Sequence, residues 1–405
     1  MNILQINTLD NKGGAAKVAY SLKKEYAKRG IETSLFVARK YTDDSNVFYV
    51  KKPFRLGDRI RKKMSYLLAN DLDLFKSNQI LKTKEFKEAD IIHCHNLHSN
   101  YFNLGTLEKM SRLKPVVWTF HDMWPITAHC AHTFDGKIKE SGFFTCPSLD
   151  IYPPIAWHNE KYLTWRKKDI YEKSNFNIVV PSNWLKDKVS QSILKDKPID
   201  LIYNGINTDI FKAYDKVAAR KELGLPHDKK IVLFLAKGGD KNPWKGGEYV
   251  KPVVDAFASD DSVIFISLGG EPLKSDSKTK YVGYVSNPDL LAKYYSAADF
   301  LLYPSIADNC PLVVLEAQAC GLPVVSFNTG GIPEIIEHNK TGFIGGYKNV
   351  DKLIEGVRYI LNLGPEEYEY FRINSIKNIQ DKFTLTTMVD SYIKLYENLI
   401  HQFRR

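Results

Sequence analysis

The sequence predicts an α/β protein built from two doubly wound parallel sheets in tandem, and three observations carry that prediction. Short apolar runs alternate with longer helix-periodic stretches almost throughout, and strands that alternate with helices imply crossover units and parallel pairing. A chain of 405 residues has room for two domains of about 200 residues each. The turn signal Asn204-Gly205-Ile206-Asn207, with polar and mixed sequence from Thr208 to Pro226 behind it, divides the chain near its middle.

In the first half the strand candidates are Ile3–Ile6, Thr33–Val37, Ile91–His95, Val116–Phe120, Asn177–Val180 and Asp200–Tyr203. In the second they are Ile231–Ala236, Val263–Leu268, Phe300–Tyr303 and Pro323–Phe327. Helical patterns separate them at Ala15–Arg29, Ala156–Lys173, Asn183–Ser192, Gly246–Phe257, Pro288–Ser296 and Leu312–Ala319. The chain closes with helix-rich sequence from Asn349 onward, and Thr384–Gln402 is long enough to pack on another domain. No repeat of solenoid period and no low-complexity segment interrupts this order.

Composition narrows the class. Hydrophobic residues at 44% and charged residues at 26% exclude wholesale disorder. No run of 18 or more apolar residues occurs, so no transmembrane span is expected, and the first residues read as a strand rather than a secretory signal. Cys94, Cys130, Cys146, Cys310 and Cys320 are scattered and odd in number, which suits a reducing cytosol better than a disulfide framework. The charge is uneven: residues 1–200 carry 33 Lys and Arg against 22 Asp and Glu, and residues 201–405 carry 24 against 25. Much of the excess lies in Lys51, Lys52, Arg55, Arg59, Arg61, Lys62 and Lys63, interleaved with Phe54, Leu56 and Ile60. An anionic lipid surface attracts that mixture at roughly 1 kcal/mol per basic residue. Nucleic acid would attract it as well, and a plain solvated helix face has the same composition.

Ligands of open parallel sheets bind at the carboxyl ends of the strands, so the turns there come first. After the first strand, Asn11-Lys12-Gly13-Gly14-Ala15-Ala16 opens a helix. Gly13 and Gly14 let a backbone approach a ligand, and the helix N-terminus favours an anion, although a plain tight turn reads the same way. The spaced glycines of a dinucleotide fingerprint are missing. His121-Asp122-Met123-Trp124-Pro125 follows a buried strand, which delivers an imidazole and a carboxylate to its end. Lys237-Gly-Gly-Asp-Lys241-Asn-Pro-Trp-Lys245 precedes Gly246-Gly247 and a helix, which suits a diphosphate without being a Walker loop. The richest constellation runs from Ser305 to Gly331. Asp308 and Asn309 precede a helix start, Glu316 sits about one turn inside it, and the first amides, of Leu312, Val313 and Val314, face the same side. Hydroxyl acceptors beside an anion hole fit a ribose and a diphosphate together. Glu316 in so apolar a helix needs a ligand or a partner.

These residues resemble the E-x7-E signature of the family-4 retaining glycosyltransferases. The match rests on Asp308-x7-Glu316 with Cys-Gly-Leu-Pro-Val-Val and Gly330-Gly331-Ile332-Pro333-Glu334. Gly13-Gly14-Ala, His121-Asp-Met-Trp-Pro, Pro181-Ser-Asn-Trp, Asn204-Gly-Ile-Asn and Lys245-Gly fall in the same order over nearly the whole chain. The resemblance implies the GT-B fold, two Rossmann-like doubly wound domains facing across a cleft. It implies residues 1–205 plus a returning helix at about 388–405 for the acceptor, and 206–387 for the donor. It assigns Glu316 to the ribose, Asp308 to the donor sugar, and Lys245 with the backbone of Leu312 and Val313 to the diphosphate. His121 would lie at the donor sugar or reacting centre, Gly14 at the phosphates, and Gly283-Tyr284-Val285 near the base. No cofactor and no metal are implied, only a nucleotide diphosphate sugar as co-substrate.

Two departures stand out. Asp308 is one methylene shorter than the usual Glu, and the family's Arg five residues before the lysine is replaced by Asp240, leaving Lys237 or Lys241 to take its place. Two further sets invite a metal reading. Asp71-Leu-Asp73 lies in a polar helical stretch rather than at a strand end, and His129, Cys130, His132 and Cys146 lack paired cysteine spacing. The expected activity is metal-independent transfer of a sugar, with retention, to a glycan or polyprenyl-linked glycan. The expected place is the cytoplasm, peripheral on an anionic membrane surface, with no nucleic-acid partner. A nucleotide-sugar epimerase of the same fold, a nucleic-acid-binding protein using the 51–63 patch, and a non-catalytic partner subunit are the rival readings.

Overall fold

Runs such as Asn177–Val180, Phe300–Tyr303 and Val324–Phe327 are buried at every position, the mark of strands covered on both faces. They belong to two sheets whose strand pairs are all parallel in the computed structural model. The structure describes residues 1–50, 55–134, 136–235, 243–269, 275 and 277–405.

The first sheet contains β1 (Asn2–Leu9), β2 (Glu32–Arg39), β3 (Val47–Tyr49), β4 (Ile91–Cys94), β5 (Val116–Thr119), β6 (Asn177–Val180) and β7 (Ile199–Leu201). Its order is β3-β2-β1-β4-β5-β6-β7. The helices among these strands are α1 (Gly14–Lys28), α2 (Arg55–Leu67), α3 (Lys84–Glu88), α4 (Gly105–Leu113), α5 (Glu160–Lys173) and α6 (Asn183–Ser190). After α7 (Lys216–Leu223) the second sheet follows, with β8 (Lys230–Leu235), β9 (Val263–Leu268), β10 (Thr279–Val282), β11 (Phe300–Tyr303), β12 (Val324–Phe327) and β13 (Gly342–Gly345). Its order is β10-β9-β8-β11-β12-β13. Its helices are α8 (Gly247–Asp255), α9 (Pro288–Ala297), α10 (Leu312–Ala319), α11 (Ile332–Ile335), α12 (Val350–Leu361) and α13 (Pro365–Lys382), and α14 (Leu385–Phe403) ends the chain. Strand order therefore reverses between β1 and β4 in one sheet and between β8 and β11 in the other. Crevices at those two reversals are where open sheets hold ligands.

Local chemistry sets the helix ends. Ser182 accepts from the Leu185 amide at 3.1 Å to cap α6, and Asp215 accepts from the Ala218 amide at 2.7 Å to cap α7. Gly224, with φ +59°, closes α7 in the left-handed conformation. The chain divides into two compact units, Met1–Tyr203 with Met388–Arg405, and Asn204–Thr387. The core of the first unit gathers around Trp118, which meets Phe120 edge-on at 4.8 Å and Phe176 at 5.5 Å.

Three expectations change. The strands β3, β10 and β13 are absent from the sequence reading; all three are edge strands of only three or four residues. Helix α5 begins at Glu160, not Ala156, because the preceding segment docks on the 66–69 turn. There the Ala156 amide donates to Tyr66 O at 3.1 Å and Trp157 Nε1 to Leu67 O at 2.9 Å. The cysteine reading is corrected as well. Cys130 and Cys146 form a disulfide with Cα atoms 5.8 Å apart, within ordinary bridging distance, while Cys94, Cys310 and Cys320 are free and buried.

Candidate functional site

In the second unit the strand reversal assembles a compact polar cluster. Tyr303 ends β11, Ser305 and Asp308 lie in the loop behind it, and Lys245 ends a single 3-10 turn (Pro243–Lys245) before α8. Asp308 Oδ2 accepts from Lys245 Nζ at 2.6 Å, from Tyr303 OH at 2.6 Å and from Ser305 Oγ at 2.8 Å. Lys245 Nζ also lies 3.2 Å from Tyr303 OH. Burial opposes the charge on Lys245, but the Asp308 carboxylate outweighs it and holds the ammonium above its ordinary value. Burial raises Asp308 in turn, and Lys245 with the hydroxyls brings its carboxyl below the usual range. Tyr303 is pushed up by burial and by Asp308. The pair thus stays ionised at neutral pH while remaining partly open, with side-chain exposures of 33% for Lys245 and 16% for Asp308.

Two glycines hold the loop that carries this cluster. Gly330, at φ +54°, lies so close that a Cβ there would stand 1.8 Å from Asp308 O, and a Cβ at Gly246, φ +66°, would stand 1.8 Å from Pro304 O. Only glycine permits both approaches, so the loops after β8, β11 and β12 are fixed against one another.

Glu316 is buried in α10 and receives a hydrogen bond from Tyr295 OH at 3.2 Å. The need for a partner is met at least in part by that tyrosine. Asn309 is buried beside Asp308, and Asn204 Nδ2 ties the neighbouring Cys310 O at 3.0 Å. The amides of Leu312 and Val313 open α10, whereas the Val314 amide donates to Pro311 O at 3.1 Å and so leaves the expected set of anion donors. Gly283, Tyr284 and Val285 follow β10; Tyr284 is 67% exposed, and a Cβ at Gly283 would meet nothing within 4 Å. Lys237 and Lys241 lie outside the described residues. A cavity of about 760 Å³ in this unit sits at the opposite, amino ends of the strands. Asp299 there binds Arg220 at 2.8 Å, Lys216 at 2.7 Å and the Ile231 amide at 2.6 Å, a structural knot rather than a strand-end site.

In the first unit β5 delivers His121 and Asp122 beside β4. His121 Nε2 lies 3.0 Å from His95 Nδ1, and His95 Nε2 lies 3.2 Å from Gln5 Oε1. His93 continues the row, with Thr119 Oγ1 at 2.8 Å and Tyr396 OH at 2.6 Å. Burial depresses His93 and His95 well below the ordinary imidazole value, and brings His121 to about 4 with Asp122 opposing and His98 adding to the shift. A neutral His121 therefore offers hydrogen bonds rather than charge. His98 Nε2 meets Asp122 Oδ2 at 2.8 Å, and Asp122 Oδ1 accepts from the Trp124 amide at 2.9 Å. Gly13 stands at φ +99° ahead of α1, and a Cβ at Gly13 or Gly14 would meet nothing within 4 Å.

Sequence reasoning passed over His93, His95, His98, Tyr295 and Tyr303. Three histidines at alternate and near positions of one strand end were the available signal; the tyrosines had none. Of the metal candidates, Asp73 is engaged by Arg166 at 3.0 Å and Tyr162 at 2.8 Å, and Asp71 is buried elsewhere. The disulfide consumes Cys130 and Cys146, His129 Nδ1 lies 3.0 Å from Pro153 O, and His132 stacks on Trp184. Of the basic patch, Arg59 and Lys63 are exposed on α2, Arg61 Nε donates to Gly57 O at 3.2 Å, and Lys62 is half-buried. Lys51 and Lys52 lie outside the described residues, and Arg55 is described only as the first residue of α2.

Comparison with known proteins gives the same outline. The model for glycosyltransferase family 4 matches residues 12–210, and that for the glycosyl transferases group 1 matches residues 215–378. The chain is 24% identical to the putative colanic acid biosynthesis glycosyl transferase WcaC of Escherichia coli, over 98% of this chain and 100% of that one. It is 25% identical to the D-inositol 3-phosphate glycosyltransferase of Mycobacterium tuberculosis, over 83% of this chain and 68% of that one. Sucrose-phosphate synthase from Thermosynechococcus elongatus has a similar fold, with a TM-score of 0.72 at 19% identity over 99% of both chains. Anabaena Alr3699/HepE, solved in complex with UDP, gives 0.67 at 17% identity over 98% of this chain and 100% of that one.

Proposed function

Since this chain belongs to the family-4 glycosyltransferases and has the GT-B fold, we propose that it moves a sugar from a nucleotide diphosphate sugar to a hydroxyl of a glycan or lipid-linked acceptor, with retention at the anomeric carbon. The Lys245–Asp308 pair at the strand reversal of the second unit carries this reading. A diphosphate arriving there competes for the ammonium of Lys245, and Asp308, still held by Tyr303 and Ser305, is released to accept hydroxyls of the donor sugar. Leu312 and Val313 add helix N-terminal amides, so charge on the leaving diphosphate is stabilised without a metal. Glu316 takes the ribose hydroxyls and Gly283-Tyr284-Val285 borders the base.

Chemically, the bond from the anomeric carbon to the diphosphate oxygen breaks, and a bond to the acceptor oxygen forms on the same face. The acceptor proton passes to the leaving phosphate oxygen. His121 is neutral at working pH and orients a hydroxyl rather than paying for charge separation. Crystals of HepE with UDP-glucose support a nucleotide sugar as donor. An anionic membrane surface is the proposed site of action: α2 exposes Ile60, Met64 and Leu67 beside Arg59 and Lys63. Among the described residues no helix is long and apolar enough to cross a membrane.

Melting of the protein against UDP, GDP, dTDP, CDP and their sugars, without metal, tests the donor reading. A ligand at 100 times its dissociation constant stabilises by about 2.7 kcal/mol. We expect a shift with one nucleotide family that Lys245→Ala and Glu316→Ala each abolish; a shift with none, or one that neither variant changes, rejects it.

A further inference from the structure

Helix α5 carries a lysine where its pattern calls for an apolar residue. Leu163, Lys167, Ile170 and Tyr171 share one face of the helix and all four are buried, Lys167 with no exposure at all. Burial disfavours an ammonium strongly, and an apolar side chain would suit that face better. The lysine therefore calls for an account in what it holds.

It holds a single 3-10 turn (Trp124–Ile126) that begins three residues behind His121. The bond that closes this turn, from the Thr127 amide to Trp124 O, is long at 3.4 Å, and its carbonyls are taken up from outside. Lys167 Nζ donates to Trp124 O at 2.5 Å and to Thr127 O at 3.0 Å. Tyr171 OH donates to Pro125 O at 2.9 Å, and the Phe144 amide to Ile126 O at 2.9 Å. The ammonium also stands over the Trp124 ring, 3.6 Å from its centre. Lys167 thus grips the turn at its first residue and again just past its last.

The amino side of the same turn leads to His121. The Trp124 amide donates to Asp122 Oδ1 at 2.9 Å, and Asp122 Oδ2 meets His98 Nε2 at 2.8 Å. Trp124 is therefore held at its amide and at its carbonyl, and the Asp122 carboxylate between it and His121 acts on the His121 ring. The charged and titratable groups that face Lys167 are Asp71 behind α2, Asp122 behind β5, and His129 on the segment after the turn. Burial pulls the Lys167 ammonium down to about 7, while Asp71 and Asp122 oppose that shift. Both oxygens of Asp71 are buried with no hydrogen-bond partner among the described residues, so it acts on Lys167 through space.

We propose that Lys167 is a positioning residue for His121: by holding Trp124 O and Thr127 O it fixes the turn that orients Asp122, and through Asp122 the imidazole. The inference rests on the transferase reading, which puts His121 at the reacting centre, and deepens it by naming a buried residue on which that placement depends.

NMR of the full chain with isotope-labelled histidine rings tests the proposal on the wild type, Lys167→Met and Lys167→Arg. Methionine keeps the length without charge or donor, and arginine keeps both. In Lys167→Met the ring signals of His121 and His98 should shift or broaden while those of the exposed His338 and His401 stay in place, and Lys167→Arg should restore them. The wild type supplies a second reading that needs no variant to fold. His121 takes its proton at about 4, so between about pH 6 and pH 8.5 its signals should move only with the midpoint of Lys167, followed at a labelled lysine Cε. Lys167→Arg, charged throughout, should abolish that movement. His121 signals that are unmoved in Lys167→Met, or that ignore the Lys167 midpoint in the wild type, overturn the proposal. Titration with UDP, GDP, dTDP and CDP keeps the two readings apart. Binding of one of them, equal in the wild type and Lys167→Met, is expected when both hold; binding of none rejects the transferase reading and leaves the NMR result to decide the role of Lys167.

Discussion

His93 and His95, at the end of β4, and His121, behind the neighbouring β5, form one buried row, and all three are kept neutral by burial. That has a consequence for stability with a definite sign. In the unfolded chain each imidazole takes a proton near pH 6.5, whereas in the folded chain His121 resists until about 4 and the other two are likewise depressed. Between those values the unfolded state binds more protons, so stability falls as pH falls from 6.5 toward 4. Burial sets most of the His121 shift, Asp122 opposes it and His98 adds to it. His121 alone accounts for on the order of 2–3 kcal/mol by pH 4. Urea unfolding at pH 7, 6 and 5 should show a falling midpoint, and His121→Asn should flatten the decline. A midpoint independent of pH across that interval would remove the neutral-histidine account.

At the scale of elements, β6, β9 and β11, each a continuous and almost wholly buried apolar run, match their expected bounds residue for residue, while the half-buried edge strand β7 was expected one to two residues later than it lies. The edge strands β3, β10 and β13 escape because each is only three or four residues long, too short for a periodic pattern to mark it. Site residues divide in the same way. Asp308, Lys245 and His121 were legible because each follows a buried strand, while Tyr303 and Tyr295 look like ordinary core aromatics until their hydroxyls are seen on Asp308 and Glu316. Helix α2 shows what composition supplies and what it omits. The basic run was plain, but the apolar row was visible only once Ile60, Met64 and Leu67 proved 51%, 46% and 53% exposed. Such a row beside cations fits an anionic bilayer, and each basic residue there contributes about 1 kcal/mol. Arg59→Gln/Lys63→Gln should therefore weaken binding to phosphatidylglycerol vesicles about thirtyfold. Equal binding to phosphatidylcholine vesicles, or no loss in the variant, would sink the membrane reading.

For the whole molecule, the chain order and the unit order disagree: residues 388–405 belong with the first unit although the second precedes them. The segment is built into that unit's interior. Val389, Tyr392 and Tyr396 are buried; Tyr392 OH lies 2.8 Å from Thr119 Oγ1, and Tyr396 OH lies 2.6 Å from His93 Nδ1 and 3.2 Å from Tyr26 OH. Asp390 pairs with Arg29, and Arg404 with Asp90 at 2.8 Å. Removing the segment strips three large apolar contributions of roughly 1.5–3 kcal/mol each and leaves Thr119, His93 and Tyr26 short of partners. That loss is comparable to the whole stability of a domain, about 5–15 kcal/mol. The second unit keeps its own six-stranded sheet and the Lys245–Asp308 pair. A chain ending at Thr387 should therefore lose the calorimetric transition of the first unit while the remaining transition still shifts with nucleotide. Two transitions persisting unchanged after the truncation would mean that the last helix is dispensable to the first unit. Loss of both would mean that the second unit does not stand on its own core.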